Sequence, residues 1–221
     1  MNIQIRLEQY ADYRESEQVM REAFWNRYSP GCTEHYLLHI MRESPGFIPE
    51  LDFVAVADGR IVGCVVFMKS FILGDDGKRY DVLGMGPIGV HPAFQRKGIG
   101  RMLIEHALAA AENTGYLAVL LCGDPAYYTK VGFTAAEHFG IRTAGNKYFA
   151  ALHIHPFDTV AMNNAAGRYF EDKIYDVDEA AAMAFDMEFP PEERLAGTPS
   201  QRRFEEILAM QKDVSTEHVS R

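Results

Sequence analysis

A glycine turn near the middle of the chain is the first place where residue types and spacing could do chemistry. Residues 90–101 contain Gln95, Gly98 and Gly100 in the pattern Q-x-x-G-x-G. A helix that begins there presents backbone N–H groups without internal partners, and its dipole favours an anion. Glycine leaves room for a bulky phosphate. The basic residues that add positive charge around the turn are Arg96, Lys97 and Arg101. The segment predicts a diphosphate-binding turn, and the alternative is a turn that only starts a helix.

Two other phosphate-binding loops are excluded by the residues themselves. A dinucleotide fingerprint needs a third small residue three positions after Gly100, where this chain has Leu103. A Walker loop needs Gly-Lys-Ser or Gly-Lys-Thr, and the turn contains neither. The diphosphate of a different ligand is therefore predicted.

A second motif follows at residues 121–133, where Tyr128 stands four positions before the pair Gly132 and Phe133. The two motifs together, in this order and separation, resemble the Gcn5-related N-acetyltransferase (GNAT) family, in which the turn holds the pyrophosphate of coenzyme A. Within that family the chain is similar to the bacterial group of YhbS-like predicted acetyltransferases. The resemblance covers residues 3–155. The last third of the chain shows no such resemblance.

The resemblance implies an α/β fold with a mixed sheet, the acyl-CoA N-acyltransferase fold, in which the fourth and fifth strands splay apart and helices cover both faces. The pantetheine arm of acetyl-CoA would enter that gap and pair with backbone groups near Ile88 and Val90. Pro87 fits a bulge there, and an edge-strand proline is the alternative. The residues implied to bind the cofactor are Ile88, Gly89, Val90, Gln95, Arg96, Lys97, Gly98, Ile99, Gly100 and Arg101.

The resemblance makes Tyr128 the acid that protonates the coenzyme A sulfur, and a backbone N–H near Ile88 or Gly89 the group that polarises the thioester carbonyl. The alternative for Tyr128 is a packed aromatic residue whose hydroxyl caps a carbonyl, and Tyr127 could exchange roles with it. The transfer also needs a base, because an ammonium has no lone pair. The residues considered for that role, besides a chain of waters, are Glu34, His35, Tyr80 and Asp81.

Other reactive residue types have structural explanations in the sequence. Asp124 precedes Pro125, which is typical of a helix N-cap. Cys122 ends a buried strand and is interpreted as a small apolar residue. His153 and His155 are too few for a metal site, so no metal is predicted.

The elements that position these residues follow from hydrophobic periodicity and turn signals. The predicted strands cover residues 3–8, 52–57, 61–68, 80–90, 117–121, 140–143, 147–155 and 169–175. The predicted helices cover residues 10–28, 33–42, 101–113, 124–130, 178–185 and 200–210. Asp58 and Gly59 predict a tight hairpin. The expected organisation is an acetyltransferase domain at 1–155 and an acidic extension at 156–221 that packs on the same domain.

Composition limits the classes of partner. The chain has 221 residues and a net charge of -9, which argues against nucleic acid. From Asp158 onward there are 14 Asp or Glu against 7 Lys or Arg, so the extension is interpreted as an interaction surface, a lid over the acceptor site or a solvated face. Three cysteines and the absence of a long apolar run predict a cytoplasmic protein without membrane association.

The sequence as a whole predicts an N-acetyltransferase that uses acetyl-CoA and attacks it directly with a primary amine of a small molecule or protein. The alternative is a module of the same fold that binds acyl-CoA without turnover. A homodimer and a monomer are both left open.

Overall fold

The structure is a computed structural model that describes residues 2–214. Its helices are α1 (Tyr13–Phe24), α2 (Glu34–Met41), α3 (Ile99–Ala111), α4 (Pro125–Tyr128), α5 (Thr159–Met162), α6 (Glu179–Asp186) and α7 (Pro199–Leu208). Its strands are β1 (Ile3–Leu7), β2 (Phe53–Ala57), β3 (Arg60–Gly74), β4 (Arg79–Val90), β5 (Ala118–Cys122), β6 (Thr134–Ala135), β7 (Ile141–Arg142), β8 (Lys147–Phe149), β9 (Leu152–Pro156), β10 (Gly167–Phe170) and β11 (Gln211–Asp213). Within the described part, no helix is both long and apolar enough to cross a membrane.

The main sheet has the order β1-β2-β3-β4-β5-β9-β6, and β10 with β7 extends it beside β3. Strands β1 to β4 are antiparallel, whereas β4 and β5 run parallel. Asp58 and Gly59 adopt positive φ angles of 50° and 78°, as predicted for the turn between β2 and β3. The fold is the predicted mixed sheet with helices on both faces.

The strands β4 and β5 separate soon after they meet. They pair only at Leu83 with Val119 and at Gly84 with Leu120. β4 continues along β3 to Val90, so its other edge is left open from Met85 onward. The predicted splayed pair of central strands is confirmed.

A bulge marks the start of the open edge. In the β3–β4 pairing, Val65 faces Ile88 and Phe67 faces Met85, so two residues of β4 lie opposite one of β3. The two residues of β4 are Gly86 and Pro87. A bulge tolerates a residue without an N–H, which explains why proline is placed here.

The sheet separates two hydrophobic layers, because successive strand residues point to opposite faces. On β3, Val65 and Phe67 pack with α3 residues such as Leu103. Cys64 and Val66 pack instead with α1 and α2. The glycine turn that precedes α3 and the pair α1–α2 therefore lie on opposite faces of the sheet.

Three predicted strands have clearly different boundaries in the structure. The strand predicted at 61–68 continues to Gly74 as the long β3. Residues 147–155 form two strands, because β8 pairs with β11 in a small separate sheet while β9 pairs with β5. The strand predicted at 169–175 begins at Gly167 and ends at Phe170. Asp172 then accepts a hydrogen bond from the Ile174 N–H at 2.9 Å and starts a 3-10 turn. A short polar capping residue stops the strand.

A buried acidic cluster lies beneath the connection from α2 to β2. Arg42 donates to both carboxylate oxygens of Glu8 at 3.0 Å and to Glu17 at 2.8 Å. Asp52 is 3% exposed beside Glu8. Desolvation, and then the proximity of Glu8, raise the pKa of Asp52 well above its usual range. Folding therefore favours the protonated form of Asp52.

We expect the substitution Asp52→Asn to flatten the pH dependence of stability. A carboxyl whose pKa is raised by folding keeps a proton that the unfolded chain releases, so stability falls as pH rises from the unfolded pKa towards the folded one. The free energy of unfolding of the wild type should fall about 1.4 kcal/mol per pH unit more steeply than that of the variant. Urea unfolding between pH 5 and 8 measures this, with Asp58→Asn in the exposed hairpin as control. Equal slopes for wild type and Asp52→Asn would contradict it.

Candidate active site

A cleft of about 870 Å³ opens where β4 and β5 part. Its lining comes from both strands, from the glycine turn, from the end of α1, from α2 and from the C-terminal region. This volume lies within the usual range of roughly 300 to 1,000 Å³ for ligand sites. All predicted cofactor-binding residues except Lys97 line this cleft.

The glycine turn presents an open helix N-terminus to the cleft. Gly98 is the N-cap of α3 with φ at 84°, and a Cβ built there meets no atom within 4 Å. The first backbone hydrogen bond of the helix runs from Met102 N–H to Gly98 O at 3.0 Å. Gln95 donates its side-chain amide to Val90 O at 2.9 Å and so fixes the turn against β4. Unpaired N–H groups, open space and positive charge meet the requirements of a diphosphate.

The basic residues of the turn differ in direction. Arg96 and Arg101 line the cleft, and Arg101 also pairs with Glu105 at 2.6 Å. The Lys97 ammonium group instead donates a hydrogen bond to Ala93 O at 2.8 Å, and Lys97 does not line the cleft.

The backbone groups of β4 point alternately towards β3 and towards the open gap. His91 donates its N–H to Val62 O on β3 at 2.9 Å. Because backbone groups of successive strand residues point to opposite edges, the Gly89 peptide groups also face β3, whereas those of Ile88 and Val90 face the gap. Of the two N–H groups considered for polarising a carbonyl, the one on Ile88 is directed into the cleft.

Tyr128 lies on the opposite wall. Asp124 caps α4 by accepting from Ala126 N–H at 2.9 Å, as predicted, and α4 places the Tyr128 ring above Gly123. A Cβ on Gly123 would lie 2.0 Å from that ring, so only glycine permits this position. Desolvation raises the Tyr128 pKa, and no carbonyl of residues 2–214 accepts from its hydroxyl. Tyr128 therefore keeps its hydroxyl proton, and its side chain lines the cleft.

Of the four side chains considered as bases, the structure brings Glu34 to the cleft. His35 is buried against Phe185 and Phe189, and burial lowers its pKa to about 4. The Tyr80 hydroxyl bonds to Asn164 O. Asp81 forms an ion pair with Arg79 at a separate surface depression, away from this cleft.

The structure corrects the interpretation of Cys122. Its side chain is exposed and lines the cleft, whereas the sequence indicated a small buried residue. The strand β5 is buried up to Leu121. Because β4 has already diverged at that level, no residue of β4 covers Cys122.

The C-terminal region supplies residues that sequence reasoning missed, because they belong to no recognised motif. Glu171, Tyr175 and Phe204 line the cleft. The Tyr175 hydroxyl donates to Gly86 O at 2.8 Å, at the bulge of β4. The Phe204 ring lies 4.6 Å from that of Tyr28, and α7 is held there by an ion pair between Arg203 and Asp124 at 3.0 Å.

The described residues do not supply the ligand set that a metal centre needs. No group of three or more His, Cys, Asp or Glu side chains between residues 2 and 214 is arranged to hold a metal ion.

Comparisons with known proteins agree with this geometry. Residues 50–135 match the family model "Acetyltransferase (GNAT) domain". An uncharacterized N-acetyltransferase YhbS of Escherichia coli K12 is 31% identical over 147 residues, 66% of this chain and 85% of that protein.

Two solved structures are similar in fold over most of their length. E. coli YhbS, in complex with CoA, has a TM-score of 0.70 and 26% identity over 80% of this chain and 93% of its own. A GNAT acetyltransferase from Brucella melitensis, in complex with acetyl-CoA, has a TM-score of 0.62 and 26% identity over 79% of this chain and 99% of its own.

Proposed function

We propose, because this chain belongs to the GNAT acetyltransferase family, that it transfers an acetyl group from acetyl-CoA to a primary amine of a small molecule or protein while both are bound. The observation that carries this proposal is the open helix N-terminus at Gly98, which faces the gap between β4 and β5. The two similar structures that contain CoA or acetyl-CoA support the choice of donor.

The donor would be held by backbone groups on one wall of the cleft. The N–H groups from Gly98 to Arg101, with the Arg96 and Arg101 side chains, would take the diphosphate. The outward peptide groups of Ile88 and Val90 would pair with the amides of the pantetheine arm, as a partner strand does.

The chemistry of transfer would fall to two groups at the inner end of the gap. The Ile88 N–H polarises the thioester carbonyl and stabilises the negative charge that develops on its oxygen. Tyr128 donates its hydroxyl proton to the departing sulfur, which its raised pKa permits because the hydroxyl is protonated at neutral pH. An amine without its proton would attack from the open side of the cleft.

The test is the release of free thiol from acetyl-CoA with a panel of primary amines, together with calorimetry of CoA binding. We expect micromolar CoA binding and amine-dependent thiol release. Binding without release from any amine would favour the alternative, a module that senses acyl-CoA. Absence of CoA binding would contradict both.

The cellular compartment that we propose is the cytoplasm. Cys32, Cys64 and Cys122 are all unpaired thiols, which is the usual state of cysteine in a reducing compartment.

We further propose that residues 156–214, the described part of the C-terminal extension, fold as one unit with residues 2–155; residues 215–221 of the predicted extension lie outside the described residues. β10 pairs with β3, and Arg21 on α1 is 1% exposed between Asp186 at 2.6 Å and Glu192 at 2.5 Å. A buried arginine that bridges the two parts makes their stability interdependent.

We expect Arg21→Met to lower the free energy of unfolding by about 2 to 4 kcal/mol, since it leaves the largely buried Asp186 without its main partner and Glu192 retains contact with water. The control Lys78→Met removes an ion pair with Asp76 in the exposed turn between β3 and β4 and should change the free energy of unfolding far less. Urea unfolding should show a single transition in every case. An early, separate transition of the C-terminal part would contradict the proposal.

A further inference from the structure

One carboxylate in the cleft lies on the face opposite the glycine turn. On β5, Val119 and Leu121 belong to the layer of α3, whereas Leu120 belongs to a third cluster with Ile72, which lies on the same face of β3 as Cys64 and Val66. By alternation Cys122 points to the same side as Leu120, away from α3. Its sulfur is 4.0 Å from Oε1 of Glu171, which directly follows β10. Glu171 therefore reaches the gap between β4 and β5 from the side of α1 and α2.

Glu171 differs from the other carboxylates of the cleft in having no strong partner. Asp124 accepts from Ala126 N–H and pairs with Arg203. Glu34 accepts from Thr33 N–H at 3.0 Å. Among the described residues, the only side-chain hydrogen bond of Glu171 is with the weak thiol donor of Cys122. A solvent-accessible carboxylate that lines a cleft and has no cationic partner is available to bind the cation of a ligand.

The surroundings of Glu171 favour a cation with an apolar body. Tyr169 and Tyr175 line the cleft near the carboxylate, and their rings supply apolar surface for the body of a ligand. Desolvation, and then the charge of Asp176, raise the pKa of Glu171 above its usual range. The other charged side chains that line the cleft are Arg27, Glu34, Arg96, Arg101 and Asp124.

We propose that Glu171 binds the ammonium group of the acceptor and takes its proton, and hence that the acceptor is a cationic primary amine. This inference rests on the proposed function, because it assigns the base and the acceptor class of the same site. It gives the C-terminal extension a catalytic residue, since β10 delivers Glu171 to the reacting centre.

The protons balance in this scheme. Glu171 removes one proton from the ammonium, and the freed lone pair forms the C–N bond with the thioester carbon. The C–S bond then breaks, and the thiolate takes the proton of the Tyr128 hydroxyl. The nitrogen loses its second proton as the amide forms, which restores Tyr128. Glu171 returns its own proton to solvent, so one proton is released for each ammonium acetylated.

Cys122 provides a test that does not need the natural acceptor. Cationic 2-aminoethyl methanethiosulfonate and anionic 2-sulfonatoethyl methanethiosulfonate each form a mixed disulfide with the thiolate and release methanesulfinate, and the modification can be followed by peptide mass mapping. We expect the cationic reagent to react about tenfold faster, after correction for the rates of both with free cysteine, because a neighbouring negative charge favours the cation. Glu171→Gln should remove this preference, and Glu179→Gln on the exposed side of α6 should retain it. A preference that survives Glu171→Gln would overturn the binding role.

The base role is tested by thiol release from acetyl-CoA with n-butylamine as probe. At pH 7 we expect Glu171→Gln to be about 100-fold slower than wild type or Glu179→Gln. The difference should shrink as the pH rises towards about 10, because a much larger fraction of the probe is then neutral in solution than at pH 7. Equal rates at pH 7, whether both fast or both absent, would overturn the base role.

The two levels of proposal can fail separately. Protection of Cys122 by bound CoA against modification with these reagents tests the occupancy of the cleft alone. If CoA protects Cys122 but charge preference is absent, the inference about Glu171 is wrong and the proposed donor site stands. If CoA gives no protection and does not bind, the proposed function itself is wrong.

Discussion

Replacing Tyr128 with phenylalanine should lower the rate constant of acetyl transfer by about 10² to 10⁴ while leaving CoA affinity nearly unchanged. The substitution removes the proton donor for the sulfur but keeps the ring that packs on Gly123 and on Phe133. The fold should be preserved for the same reason. Steady-state release of thiol, with calorimetry of CoA binding in parallel, measures both quantities.

Tyr127→Phe is the matched control for this prediction. Tyr127 is adjacent in sequence and also lines the cleft, but it is more exposed, and its hydroxyl lies near Gly100 rather than at the inner end. We expect its effect on the transfer rate to be less than about tenfold. If Tyr127→Phe had the larger effect, the roles of the two tyrosines would have to be exchanged. Undiminished transfer by Tyr128→Phe would remove the acid role altogether.

Replacing Gly98 with alanine should weaken CoA binding by about 10- to 100-fold. The new methyl group would enter the open space at the start of α3, and the turn would have to relax from a φ of 84° that alanine avoids. Loss of one or more hydrogen bonds to a charged phosphate costs about 1.5 to 3 kcal/mol each. Calorimetric titration with CoA measures the change.

Gly115→Ala separates this effect from general strain. Gly115 follows the same helix at its other end, with φ at 85°, and a Cβ added there would meet no atom within 4 Å. Both substitutions should cost a similar free energy of unfolding, of about 1 kcal/mol. Only Gly98→Ala should change CoA affinity. An equal loss of affinity in both variants would indicate distortion of α3 and not obstruction of a phosphate site.

The sequence predicts those parts of the site that depend on local structure. The turn at Gly98 needs only a strand, a glycine pair and a helix, and each of these has a strong local signal. The hairpin at Asp58 and Gly59 and the cap at Asp124 are local in the same way. The splayed strands came from family resemblance, because no periodicity distinguishes β5 paired along its length from β5 paired at two positions.

The parts that escaped prediction depend on contacts between distant segments. The exposure of Cys122 results from the divergence of β4, about forty residues earlier in the chain. Glu171 reaches the cleft because β10 pairs with β3, which nothing in its own sequence indicates. The direction of Lys97, away from the cleft, depends on its reach to the Ala93 carbonyl. The exposure and direction of these side chains are set by tertiary contacts, which the residue type alone does not predict.

The pairing of β10 with β3 also bears on how the protein comes into being on the ribosome. Phe170 meets Phe71 across about a hundred intervening residues, and such distant pairings form late and slowly. The glycine turn and Tyr128 are synthesised well before β10 emerges. Because the two parts are proposed to fold as one unit, the cleft of a nascent chain would stay incomplete until β10 pairs with β3, and substrate choice would be the last property to mature.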